Sequence, residues 1–183
     1  MPEVGDRIEN PVAGDVVTFL ELPDEASGEL LVEMVTMPGG QGPPMHVHPR
    51  SSESFEVVRG SIAIKQADRE LVVSEGETHV VAPGVPHAFS SHGMQPALTR
   101  VRFDRPGRMG EFLETFYELA RAGRTDAEGK PTMLQIAVSF GALREDIRTV
   151  IAPWPAQLAM FAVLGPIGRA RGLRPFYRTG ELR

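Results

Sequence analysis

Two of the chain's five histidines, His46 and His48, stand two positions apart. On a strand that spacing points both side chains to one face. Two imidazoles projecting side by side are either a chelating pair or two partly exposed polar residues. Residues 49–52 leave room for a turn, so a hairpin would lay Glu53 beside His48. Phe55 and Val57 share the Glu53 face and mark it as inward, whereas Glu56, on the other face, reads as solvated. A carboxylate at the head of an apolar face is costly to bury unless it is paired or coordinates a cation. His87 follows the stiff turn Pro83-Gly84-Val85-Pro86 and shares a face with Phe89. It is therefore expected to look inward, where an imidazole needs a partner. His79 is expected to be a satisfied structural histidine or a supporting partner rather than a further ligand, and His92, in a Ser91-His92-Gly93 turn, is expected to be exposed. Ser51, Ser52 and Ser54 make no nucleophile elbow, because no Gly-x-Ser-x-Gly is present. Gly39, Gly40 and Gly42 make no phosphate loop, because no Gly-Lys-Ser/Thr follows.

The elements that would position these groups are strands. After an irregular lead-in over residues 1–13, short runs rich in Val, Ile, Phe and Thr fall at residues 15–22, 29–37, 45–48, 53–58, 61–66, 70–74, 78–81, 88–91 and 97–103. Turn signals separate them, among them Arg59-Gly60, Glu75-Gly76 and Pro83-Gly84. Nine closely spaced strands predict an all-β barrel or sandwich. Thr99, Val101 and Phe103 alternate with Arg100, Arg102 and Asp104, giving one buried and one wet face. After Pro106 the period changes. Met109, Phe112, Leu113, Phe116, Tyr117 and Ala120 recur at helical steps, and Met133, Leu134, Ile136, Ala137 and Phe140 resume the stripe. A third segment, residues 155–168, is apolar on nearly every side and bounded by Pro153, Pro155 and Pro166. Such a segment is expected to be buried against the barrel or another subunit.

At this point the residues resemble a known family. Gly40-x5-His46-x-His48-x4-Glu53-x6-Gly60 resembles the first cupin motif with each signature residue present, and Gly76 to His87 resembles the second. The departures are Ala82, where the family usually has proline, and Ser91, where it often has asparagine; neither is a ligand position. The resemblance implies a mainly β fold: a cupin jelly-roll β-barrel domain over residues 1–107, followed by a C-terminal α-helical extension over residues 108–183 that packs on the barrel or at a dimer interface. It also implies a site in which His46, His48, Glu53 and His87 hold one divalent transition metal (Fe, Mn, Ni, Cu or Zn), with one or two coordination positions left open. Phe55, Val57, Phe89, Val101 and Phe103 are expected to line the pocket. A small molecule is the implied ligand or substrate. The chemistry expected is a metal-dependent oxygenase, the alternative being a non-catalytic binding or sensor module, and no residue beyond the ligands is assigned a catalytic role.

Bulk properties narrow the partners. The net charge of −5 argues against general nucleic-acid binding. The charge is uneven, with 8 Lys and Arg against 16 Asp and Glu over residues 1–107 and 11 against 8 over residues 108–183. The basic excess gathers at Arg169, Arg171, Arg174, Arg178 and Arg183, read as a solvated end complementing a helix dipole. The absence of cysteine excludes thiolate sites and suits a reducing compartment. No apolar run reaches the length of a membrane span, and the acidic N-terminus has no signal-peptide pattern. The expectation is a cytoplasmic homodimer.

Overall fold

The computed structural model describes residues 2–24, 28–67 and 69–182. Met1 of the expected lead-in and Arg183 of the basic tail lie outside the described residues. Among the described residues there are eleven strands and three helices: β1 (Arg7–Glu9), β2 (Val16–Glu21), β3 (Leu30–Thr36), β4 (His46–Val47), β5 (Glu53–Arg59), β6 (Ser61–Gln66), β7 (Arg69–Ser74), β8 (Thr78–Val81), β9 (His87–Ser91), β10 (Ala97–Phe103), α1 (Met109–Arg121), α2 (Met133–Leu143), β11 (Arg148–Thr149) and α3 (Trp154–Ala170). The strands form two antiparallel sheets, ordered β1-β2-β3-β10-β5-β8 and β11-β4-β9-β6-β7. Late strands inserted between early ones, β10 between β3 and β5 and β9 between β4 and β6, make this a jelly roll. The fold is mainly β with three C-terminal helices.

Strict alternation puts the apolar side chains between the sheets. On β3 and β10 every second residue is buried, and Val101 sits opposite Val32 on one side and Phe55 on the other. Phe19, Val57, Ile62 and Ile64 complete an interior without accessible surface. The β5–β6 connection turns on Gly60 at φ +81°, where an added Cβ would lie 3.0 Å from the Pro96 carbonyl oxygen. Only glycine takes that backbone region in so tight a space.

Several expectations need correction. The lead-in is not wholly irregular: Arg7–Glu9 pairs with β2, Ile8 opposite Val17, and Ile8 is buried. With a single apolar residue, three positions are too few to show alternation. The barrel has more than nine strands, because Arg148–Thr149, far along the chain between α2 and α3, pairs with β4. Pro166 does not bound the third apolar segment but lies inside α3. Proline there forfeits one intrahelical hydrogen bond. Ala162, four residues back, and Pro166 both lie on the exposed side of α3. Nor is α3 buried all round. It packs on α2 through Phe161, Gly165 and Gly168, while Leu158, Val163 and Ile167 are exposed. A Cβ on Gly168 would lie 2.6 Å from Val138, so the two helices approach as closely as glycine allows.

α1 buries Met109, Phe112 and Leu113 in the barrel core and grips the C-terminal segment. Thr115 Oγ1 accepts from the Tyr177 amide, Glu114 from that of Thr179, and Glu118 from those of Gly180 and Leu182. No helix of the described residues is long and apolar enough to cross a membrane.

Candidate metal centre

β4 is only two residues long, held between β9 on one edge and β11 on the other. Its pairing sets His46 opposite His87. His48 follows β4 directly and keeps the His46 face, and after a turn Glu53 opens β5 opposite Phe103. The four side chains meet inside the barrel, with ligand atoms all within 4.8 Å of one another. None exceeds 4% exposure.

The geometry fixes the protonation of the rings. Each Nδ1 faces a backbone carbonyl at 2.9 Å: His46 that of Pro44, His48 that of Asp146 and His87 that of Val85. A carbonyl only accepts, so each Nδ1 carries the proton and donates it. Each ring therefore turns its Nε2 to the centre, where it can ligate a cation or share a proton with Glu53. His46 Nε2 lies 3.2 Å from His48 Nε2, and Glu53 Oε2 lies 2.7 Å from His87 Nε2, 3.2 Å from His48 Nε2 and 4.0 Å from His46 Nε2. Two ring nitrogens and a carboxylate face one another at contact distance in a water-poor interior. That arrangement needs a shared proton or a cation among the donor atoms, and it fits a metal ion.

The charges agree. Burial pushes the His46 imidazole down to about 3, against the partial support of Glu53, so this ring is neutral and free to ligate. For Glu53 burial acts to raise the carboxyl, but hydrogen bonds and charge from His48 and His87 outweigh it and hold it well below the usual range. For His87 burial acts to lower the imidazole, and the Glu53 hydrogen bond and charge reverse that to a net rise. Three nitrogens and one oxygen make a donor set for a divalent transition metal.

The apolar residues expected around the site fall at different depths. Phe103 meets His48 edge-on at 5.2 Å and Phe55 lies 6.4 Å from the His87 ring, with Phe89 against Phe55 at 5.3 Å. Val57 and Val101 are buried in the barrel core. An open depression of about 320 Å³, bordered by Gln41, Pro44, Lys65, Glu70 and Phe89, lies beside the loop that precedes His46. His79 stands apart from the cluster and donates from Nε2 to Gln66 Oε1 at 3.0 Å, and His92 is exposed. The three carbonyls that orient the imidazoles were not read from the sequence. Those of Pro44 and Val85, each two residues before its histidine, had a local signal, whereas Asp146, 98 positions from His48, had none.

Residues 32–99 match the cupin domain family. No curated protein matches the chain. Among solved structures, a cupin-like protein from Thermotoga maritima is 16% identical over 51% of this chain and 70% of its own, with a TM-score of 0.47. An RmlC-like cupin from Shewanella frigidimarina is 20% identical over 56% of this chain and 86% of its own, TM-score 0.48. The cupin domain of an XRE-family transcriptional regulator from Enterobacter cloacae is 19% identical over 50% of this chain and 97% of its own, TM-score 0.44.

Proposed function

The chain belongs to the cupin superfamily, and from that premise we propose that it is a metal-dependent oxygenase acting on a small molecule through His46, His48, Glu53 and His87. One observation carries the reading: three imidazole nitrogens and a carboxylate oxygen converge within 4.8 Å of one another in the buried interior, and among the described residues no lysine or arginine pairs with that carboxylate. When bound, a divalent Fe, Mn, Ni, Cu or Zn ion supplies Lewis acidity and, for a redox-active metal, electrons to dioxygen. The protein's part is positional. The carbonyls of Pro44, Asp146 and Val85 hold the rings in one tautomer, Phe55 and Phe103 keep water from the donor atoms, and Glu53 Oε2 is the one site at which a substrate proton can be taken up. The division into a barrel of residues 1–107 and a helical extension of residues 108–183 belongs to the same proposal. Elemental analysis of protein purified without chelator should find about one metal per chain, absent in His46→Ala. The loaded protein should consume oxygen with a hydroxylated aromatic or diketone-like substrate. No turnover with any of the five metals across a broad panel overturns the oxygenase reading.

A non-catalytic ligand-binding or sensor role is favoured by a specific observation: the cluster holds no acid or base beyond its ligands, and Tyr177 packs against α1 instead. A specific thermal shift by a small molecule that is not consumed would select that role. We further propose a homodimer in which the exposed Leu158, Val163 and Ile167 of α3 are covered by a second copy. Light scattering at micromolar concentration should give twice the 20.0 kDa of the chain, and a monomer overturns it.

A further inference from the structure

His48 is oriented by a residue from the other end of the chain. His46 and His87 donate to carbonyls two residues before them, contacts their own local chain supplies. The partner of His48 Nδ1 is the Asp146 carbonyl, at 2.9 Å, and it is present only because the segment between α2 and α3 returns to the barrel. Pairing of β11 with β4 brings it back, Thr149 opposite His46 and Arg148 opposite Val47, extended by the Val150 amide donating to the Met45 carbonyl at 2.9 Å. The Asp146 carboxylate fastens it. Oδ1 accepts from Arg50 Nη2 at 3.1 Å and Oδ2 from the Arg108 amide at 3.3 Å. The aspartate side chain is 8% exposed, against 58% for Arg50. Gly107 leaves it room: a Cβ there would fall 2.0 Å from Asp146 Oδ1.

We propose that Asp146 is a positioning residue of the metal centre: its carboxylate, held by Arg50 and the Arg108 amide, keeps its own carbonyl against His48 Nδ1 and so keeps the His48 Nε2 lone pair on the metal. The inference rests on the metal reading above. It makes the helical extension part of the centre, which the barrel alone leaves incomplete. Partners that fix the far nitrogen of a ligating histidine set ring tautomer and orientation, and their loss costs about 10–100-fold in metal affinity.

The test uses the full chain, with Zn(II) as the probe, in competition against a chelating dye, together with imidazole ¹H–¹⁵N spectra of the metal-free protein. Asp146→Ala should weaken Zn(II) binding by about 10–100-fold and turn the single Nδ1–H form of His48 into a tautomer mixture. Asp146→Asn, which keeps an oxygen for the Arg108 amide, should recover most of the affinity, and Arg50→Ala should lose less than Asp146→Ala. Should Asp146→Ala not fold, Gly107→Ala displaces the same carboxylate and is read by the same two measurements. Parental affinity with an unchanged His48 tautomer overturns the inference while the metal reading stands. If the parent protein binds no metal, the metal reading fails, and the tautomer measurement still decides whether Asp146 orients His48.

Discussion

Glu53 and Glu118 are 4% and 2% exposed, two of the buried glutamates, lying at nearly the same depth in quite different company. Glu118 on α1 accepts from Arg121 Nε at 2.6 Å and Nη2 at 2.8 Å, from the Leu182 amide at 2.7 Å and from the Gly180 amide at 3.0 Å. Those donors are permanent: a guanidinium does not lose its charge, and backbone amides have nothing else to do there. Glu53 faces only imidazole nitrogens, and each ring has already committed its proton to a carbonyl on the far side. A buried charge needs compensation. Glu118 finds it within the polypeptide and fastens the C-terminal segment to α1. Glu53 finds it only in something exchangeable, a shared proton or a metal ion. Burial of an acid therefore does not mark a functional site. Burial among partners that cannot by themselves satisfy it does.

The largest expected effect separates the two residues by metal. Glu53→Ala should weaken metal binding by at least ~100-fold, beyond what loss of a supporting partner costs, while Glu118→Ala leaves affinity at the parental level. Direct titration of both proteins from the metal-free state checks this, and equal losses in the two variants would erase the contrast. Stability should show the reverse. Glu118→Ala strands the buried Leu182 amide and should cost about 1–3 kcal/mol in denaturant unfolding of the metal-free protein. Glu53→Ala should cost metal-free stability less, because the imidazoles it leaves keep their backbone-carbonyl partners, whereas Glu118→Ala leaves backbone amides unpaired. A Glu118→Ala protein as stable as its parent would show that the C-terminal segment is not held by this glutamate.

How far the sequence foretold this contrast depends on how local each signal is. The His46, His48, Glu53 and His87 constellation was legible because two-residue alternation decides which side chains point inward and because the turns at 49–52 and 83–86 are short. Alternation over residues 97–103 and the helical steps of α1 were legible for the same reason. Glu118 was not, since beside the local Arg121 its backbone donors lie more than sixty positions away, at Gly180 and Leu182, and its helical phase alone does not distinguish a core-facing acid from a solvated one. β11 and Asp146 escaped for a related reason. Two residues, Arg148 and Thr149, show no period, and they are strand only because β4 offers them an edge. Which partner meets α3 was not legible either, since an apolar face reads the same whichever surface covers it, and α2 takes only the side carrying Phe161, Gly165 and Gly168.

The smallest of these effects is in acid. For Glu118 burial acts to raise the carboxyl, and the hydrogen bonds from Arg121, Leu182 and Gly180 outweigh it, so the folded value lies below the ordinary 4.5. A carboxyl depressed on folding contributes stability that is complete above its unfolded pKa and is lost as pH falls toward and through the folded value. Melting curves of the metal-free parent and of Glu118→Gln, taken between about pH 3 and 7, should therefore run at a constant separation near neutrality and converge on the acid side of 4.5. The convergence should be smaller than the cost of Glu118→Ala, because a protonated carboxyl still accepts from the two amides and loses only its attraction for Arg121. Glu53 is depressed in the same direction and tilts both curves alike, so it cancels in the difference. A separation that stays constant through acid, or widens, would mean that the guanidinium contributes nothing and that Glu118 is held by neutral hydrogen bonds alone.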